Sequence, residues 1–217
     1  MQTLTEALVK SGVANRVLRD EHLADWLEGS AQRRYNLVNR AMAAGEMVRL
    51  ARGIYVLDPK IAGSAPHAFV VAQHLRPGSF VSFEAALTWH GCIPEAVRLI
   101  TSVVPGRRKA QFSVPLYGDF RFVPLALRTG CNLVAVRRVQ FTGGIALVAD
   151  PLRALLDLMC WRKIPSESAV DFLEGLRLEF GCFDELGADD LARMRGVYQH
   201  RRMEQVVDQF WQWYRRR

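Results

Sequence analysis

Apolar positions along the chain change their spacing several times, and each change marks an element. Over "LTEALVKSGVANRVL", residues 4 to 18, they recur at helical intervals, interrupted at Gly12. In "RDEHLADWLEG", Leu23 and Leu27 stand four apart, Asp20 is placed to cap the first turn and Gly29 to end the last, which predicts a second helix. A third opens at once: Ser30 is an N-cap residue, nothing from Ala31 to Ala44 breaks a helix, and Gly45 supplies the stop. At about 100° per residue, Ala31, Tyr35, Val38, Ala41 and Met42 fall on a packing side, and Gln32, Arg33, Asn36, Asn39 and Arg40 on a polar one. Arg34 lies inside the apolar arc, where its stem must snorkel, and Leu37 lies at the margin.

After Gly45 the period shortens. "EMVRLARGIYVLD" reads as two short strands joined by a tight turn around "ARG", with Gly53 as the turn residue and Asp58-Pro59 as the stop. Two helices meeting across Gly29-Ser30, the second followed by a basic hairpin, predict a winged helix-turn-helix over residues 1–60.

A stretch with "IAGSAP" then links to a larger mixed domain over residues 61–217. "SFVSFEAALTWHG" reads as a short strand running into a helix capped by Ser82, and "LITSVVP" as a buried strand followed by the exposed basic turn "GRRK". "FSVPLYGDFRFVPL" and "VRRVQFTGGIALVADP" carry strands broken by proline and glycine turns, "TGG" among them. The last third is helical. "DPLRALLDLMCW" places Leu152, Leu155, Leu156 and Met159 on one face, with Asp150 as cap and Pro151 at the first helical position, and three more helical segments follow. The fold class is therefore α+β, with a helical C-terminal part.

Composition narrows the partners. In 217 residues, 29 Lys and Arg oppose 22 Asp and Glu, giving a net charge of +7, a balance that points first to a polyanion. No apolar run is long enough for a membrane span and the N-terminus has no signal-peptide pattern, so a cytoplasmic protein without a membrane partner is expected. Cys92, Cys131, Cys160 and Cys182 stand far apart and read as idle thiols in a reducing compartment; with His90 and Cys92 the one tight pair, no metal site and no cofactor are expected.

The polar face of the third helix supplies the chemistry. Arginine and asparagine make bidentate hydrogen bonds to guanine and adenine edges in the major groove, which assigns Gln32, Arg33, Asn36, Asn39 and Arg40, with Ser30 at the helix start, to double-stranded DNA. Arg49 and Arg52 on the wing would meet phosphates. Three rival readings remain open. A nuclease would draw on Glu84, Glu95, Asp119, Asp150 and Asp157, without the acidic-x-lysine pairing such a site needs. His90 beside Cys92 would make a base and nucleophile, but a histidine after Trp89 on an amphipathic helix is more often a satisfied core residue. The aromatic and basic C-terminus "FWQWYRRR" suits either a protein interface or a core with a solvated tail. No hydrolase or phosphate-loop signature occurs, so the chain is not expected to be an enzyme.

The unit ending "RLARGIYVLDP", the phrase "SFVSFEAALTWHGCIPE" followed by "ITSVVPGRRK", and "VADPLRALLDLM" occur in this order between about residues 20 and 160, and in combination they resemble the AbiEi-type antitoxins, transcriptional regulators of type IV toxin-antitoxin systems. The resemblance implies a winged-helix domain that binds inverted repeats in its own promoter and represses the operon. It implies also a C-terminal domain that counteracts a nucleotidyltransferase-like toxin, directly or indirectly. A solitary winged-helix regulator without a toxin is the alternative.

Overall fold

The fold is mixed α+β, as the sequence predicts; the computed structural model describes residues 3–216. Chain contacts divide the described residues into two compact units, the first comprising residues 3–77 with 113–118 and 139–146, the second the other described residues. The first unit thus runs past the residue-60 boundary read from composition.

In the first unit, helix α1 (Leu4–Lys10) is held by a capping box in which Thr3 and Glu6 each bond the other's backbone N–H. It ends well before residue 18, and Leu18–Arg19 form strand β1 rather than helix. The predicted second helix is a six-residue 3-10 segment, Asp20–Asp25, with Arg19 and not Asp20 at the cap position. The cause lies in the strand: the Asp20 backbone N–H donates to the Gly53 carbonyl at 3.1 Å, which ties Asp20 to the hairpin turn and removes it from a capping role. Tight turns at Leu23 still bury Leu23 and Leu27.

Helix α2 (Ala31–Ala43) forms with Ser30 as predicted, the Ser30 Oγ accepting from the Arg33 N–H at 3.3 Å. Strands β2 (Met47–Ala51) and β3 (Ile54–Leu57) make the predicted hairpin, and Gly53 takes a φ of 71° at the turn. The three strands lie in the order β1-β3-β2, antiparallel throughout. Beneath them one core joins Leu4, Leu8, Leu18, Leu23, Val38 and Leu57. Asp58 ends β3 and caps the short α3 (Pro59–Ala62), and α4 (Ala68–Leu75) then buries Phe69, Val70 and Val71, so the proposed linker leads into another element of the same unit. The "TGG" turn belongs here too. A Cβ on Gly143 would come 2.6 Å from the Asn15 carbonyl oxygen, so this turn tolerates no side chain.

A six-stranded sheet takes β4 (Phe80–Val81), β5 (Ile100–Val104), β6 (Ala110–Val114), β7 (Gly118–Pro124), β8 (Val136–Phe141) and β9 (Gly144–Ala149) in the order β6-β7-β5-β4-β9-β8. β5 is buried along its whole length and pairs in parallel with β7 from Ile100–Phe120 to Val104–Pro124. α5 (Phe83–Trp89) and α6 (Pro151–Trp161) belong to this second unit, with α7 (Ala169–Gly175), α8 (Ala188–Arg195) and α9 (Arg201–Tyr214) as the helical C-terminal part.

α6 is buried around most of its girth, Arg153 and Asp157 included, not only on the leucine face. Arg153 Nε donates to Asp157 Oδ1 at 2.8 Å, the Tyr198 hydroxyl donates to the same oxygen at 2.8 Å, and the Ser82 hydroxyl donates to Asp157 Oδ2 at 2.7 Å. Arg153 Nη1 donates to the Val134 carbonyl at 2.7 Å. Two fully buried charges persist because partners surround them. This network also explains why Ser82 occupies a cap position without a capping hydrogen bond. Asp150 likewise makes no capping bond and pairs instead with Arg137 at 2.5 Å.

Cys92 and Cys182 form a disulfide, against the expectation of idle thiols; folding brings their Cα atoms to 5.5 Å although 90 positions separate them. Burial pushes the Cys160 thiol up to about 12.

Candidate nucleic-acid interface

The face that α2 buries is rotated from the one its residue types suggest. Val38 and Ala41 are buried and Leu37 packs against the same core, whereas Ala31 is exposed and Tyr35 is 62% exposed. The reason is the direction from which the core approaches. α1, the 3-10 segment and β2 meet α2 along the line of Arg34, Leu37, Val38 and Ala41, so Arg34 is half-buried as expected and donates to the Gly29 carbonyl.

The free face therefore carries Gln32, Arg33, Tyr35, Asn36 and Arg40, all exposed, with Asn39 half-buried at its edge. Sequence reading missed Tyr35, because an aromatic residue at helical spacing is ordinarily core. The signal lay in its own register: at about 100° per residue it falls beside Gln32 and Asn39 as much as beside Val38. Gln32 Nε2 donates to Asn36 Oδ1 at 3.1 Å across one turn. Ser30 is exposed at the helix start, its Oγ occupied as an acceptor and its hydroxyl hydrogen free to donate.

Arg49 stands on β2 and Arg52 in the hairpin turn, both exposed, with Arg49 Nε directed at the Ala51 carbonyl at 3.3 Å. Behind them Tyr55 is buried, and burial together with the neighbouring Asp20 carboxylate holds its hydroxyl above the ordinary tyrosine range. Some basic residues of the second unit are paired with carboxylates. There Arg128 pairs with Glu204, Arg137 with Asp150, Arg162 with Glu84 and Arg195 with Asp208. Among the described residues, Arg33, Arg40, Arg49 and Arg52 have no such carboxylate partner. Four uncancelled guanidinium groups lie on one helix and the hairpin that follows it.

The other sequence candidates resolve one by one. Asp157 is the buried partner of Arg153, Glu84 pairs with Arg162 at 2.5 Å, and no group of three metal-ligating side chains occurs among the described residues. His90 Nε2 lies 2.9 Å from the Ala149 carbonyl, and Cys92 is engaged in the disulfide, so the two do not form a nucleophile and base. Arg107, Arg108 and Lys109 are exposed on their turn. In the C-terminal helix Phe210 and Trp213 are buried, Phe210 beside Phe183 and Trp213 beside Phe180, which makes these aromatics core. Arg215 lies over the Trp211 ring, and Arg217 falls outside the described residues.

No described helix is long and apolar enough to cross a membrane. No protein-family model and no curated protein matches the chain. Among solved structures it is similar to the Rv2827c protein of Mycobacterium tuberculosis, at 14% sequence identity and a TM-score of 0.41, over 100% of this chain and 83% of that one.

Proposed function

We propose that residues 3–57 are a winged helix-turn-helix, that α2 enters the major groove of double-stranded DNA, and that the chain represses its own promoter. The connectivity supports this: a helix, a strand, a helical turn, a second long helix and a hairpin, with the hairpin's last strand central in the sheet. The observation that carries the reading is the conjunction of the free polar face of α2 with two exposed hairpin arginines, none of whose guanidinium groups pairs with a carboxylate among the described residues. Phosphate contacts need uncancelled positive charge, and base readout needs amide and guanidinium groups that the core has not used. The open N-terminal turn of α2 adds backbone N–H groups that favour a phosphate.

The antitoxin role rests on the sequence resemblance alone. In that reading the second unit counteracts a nucleotidyltransferase-like toxin encoded beside it. A reporter fused to the upstream region, with the chain supplied in trans, tests repression. Co-expression with the adjacent reading frame tests rescue of growth. Repression with rescue is the expected result; repression without rescue leaves a solitary regulator, and no repression removes the DNA-binding reading.

A further inference from the structure

The geometry points to an A·T base pair as the target of Gln32, Asn36 and Tyr35, with the amide pair reading the adenine edge and the tyrosine ring packing on the thymine methyl. This inference rests on the reading of α2 as a major-groove helix and adds what that helix recognises.

The amide pair is the starting point. With one Gln32 N–H committed to Asn36 Oδ1 at 3.1 Å, the pair still presents the Gln32 carbonyl as an acceptor and both Asn36 N–H groups as donors. This hydrogen bond sets the order of the free groups, with the donors on Asn36 and the acceptor on Gln32. Adenine offers the converse in the major groove, an N6–H donor beside the N7 acceptor; guanine sets the O6 acceptor against the Gln32 carbonyl and fits less well. The internal hydrogen bond also fixes two flexible side chains before contact, which reduces the ordering cost of binding.

Tyr35 extends the match. Around the helix axis at about 100° per residue, Asn36, Gln32 and Tyr35 lie in that order on the exposed face, with the half-buried Asn39 between the last two but one turn beyond Tyr35. Across an A·T pair the major-groove edge runs from adenine N7 through N6 to thymine O4 and the C5 methyl group. Donor, acceptor and apolar ring thus meet N7, N6–H and methyl in sequence. Tyr35 is 62% exposed, so its ring is available for that contact.

The test uses the full chain and its upstream DNA, in which the protected half-sites are carried through single-atom-group replacements. Deoxyuridine for thymidine deletes only the methyl group, and 7-deazaadenine for adenine deletes only the N7 acceptor. The wild type should lose about 5- to 100-fold in affinity on each replacement at one A·T pair of each half-site. Tyr35→Ala should abolish the penalty for deoxyuridine while keeping that for 7-deazaadenine, Asn36→Ala should do the reverse, and Tyr35→Phe should behave as wild type. All three positions are exposed, so folding is not at stake. Specific binding by the wild type with no penalty at any A·T pair, or penalties that persist in both alanine variants, overturns the inference and leaves DNA binding intact. Absence of specific binding by the folded wild type removes the underlying reading and the inference with it.

Discussion

Arg33 folds its side chain back over Gly29: a Cβ on Gly29 would stand 2.8 Å from Arg33 Cδ. Gly29 also holds a φ of 104°, which residues with a Cβ rarely adopt. The turn ahead of α2 therefore sets both the direction of the helix and the place of its first arginine. Gly29→Ala should destabilise the chain by about 1 to 2 kcal/mol, read as a lower urea midpoint. The Arg33 side chain must also shift, so affinity for upstream DNA should fall, by less than in Arg33→Ala. An alanine variant with unchanged stability and affinity would show that neither constraint matters.

Arg40 and Arg52 should differ in the kind of loss they cause. Arg40 stands on the free face of α2, where Arg40→Ala should cost about 1 to 3 kcal/mol and relax preference at one base pair. Arg52 lies in the hairpin turn, where Arg52→Ala should weaken binding to all sequences and lower the salt-dependence slope by about one. Binding titrations on upstream and scrambled DNA at several salt concentrations separate the two; equal losses on both DNAs for both variants would contradict the assignment.

The Asp157 network should dominate the stability of the second unit. Asp157→Ala leaves Arg153 charged and buried, Tyr198 without its acceptor and Ser82 without its own, and should cost about 3 to 5 kcal/mol. Tyr198→Phe removes a single hydrogen bond and should cost about 1 to 2 kcal/mol. Asp208→Ala, at an exposed pair with Arg195, should cost less than about 1 kcal/mol. Urea unfolding of the three variants should rank them in that order, and a mild effect of Asp157→Ala would show that Arg153 finds other partners or water once the carboxylate is gone.

Acid should destabilise the fold through its partly buried histidines. Burial holds His67, His74 and His90 below the ordinary histidine range, and at His74 the charges of Arg19 and His22 act in the same direction. A folded-state value below the unfolded value of about 6.5 means that the unfolded chain binds these protons first. Stability from these groups is complete above about pH 6.5 and is lost as pH falls through the folded values. Urea midpoints should therefore decline from pH 7 towards pH 5, and His74→Gln should flatten part of the decline. A level profile in wild type would mean that the three rings stay neutral, or stay solvated, in both states.

Local signals carried most of the fold. Ser30, Gly45, Gly53 and Asp58 act within a few residues of themselves, and each stands where the sequence put it. What failed depended on partners distant along the chain. Asp20 was drawn to the hairpin by Gly53, Ser82 to a carboxylate 75 positions away, and Cys92 to a cysteine 90 positions away, none of which periodicity registers. The candidate face of α2 was legible in its polar members and wrong at Tyr35, because a helix wheel gives the width of an apolar stripe but not the side from which the core arrives.

The central claim is that α2 and the following hairpin bind DNA with sequence preference. Fluorescence anisotropy of labelled upstream DNA against the purified chain, repeated with a scrambled duplex over a salt series, tests it most directly. The account predicts tighter binding to the upstream duplex, by at least about 1000-fold, with affinity for both duplexes falling steeply as salt rises. Equal affinity for the two duplexes, or binding that is insensitive to salt, would contradict it.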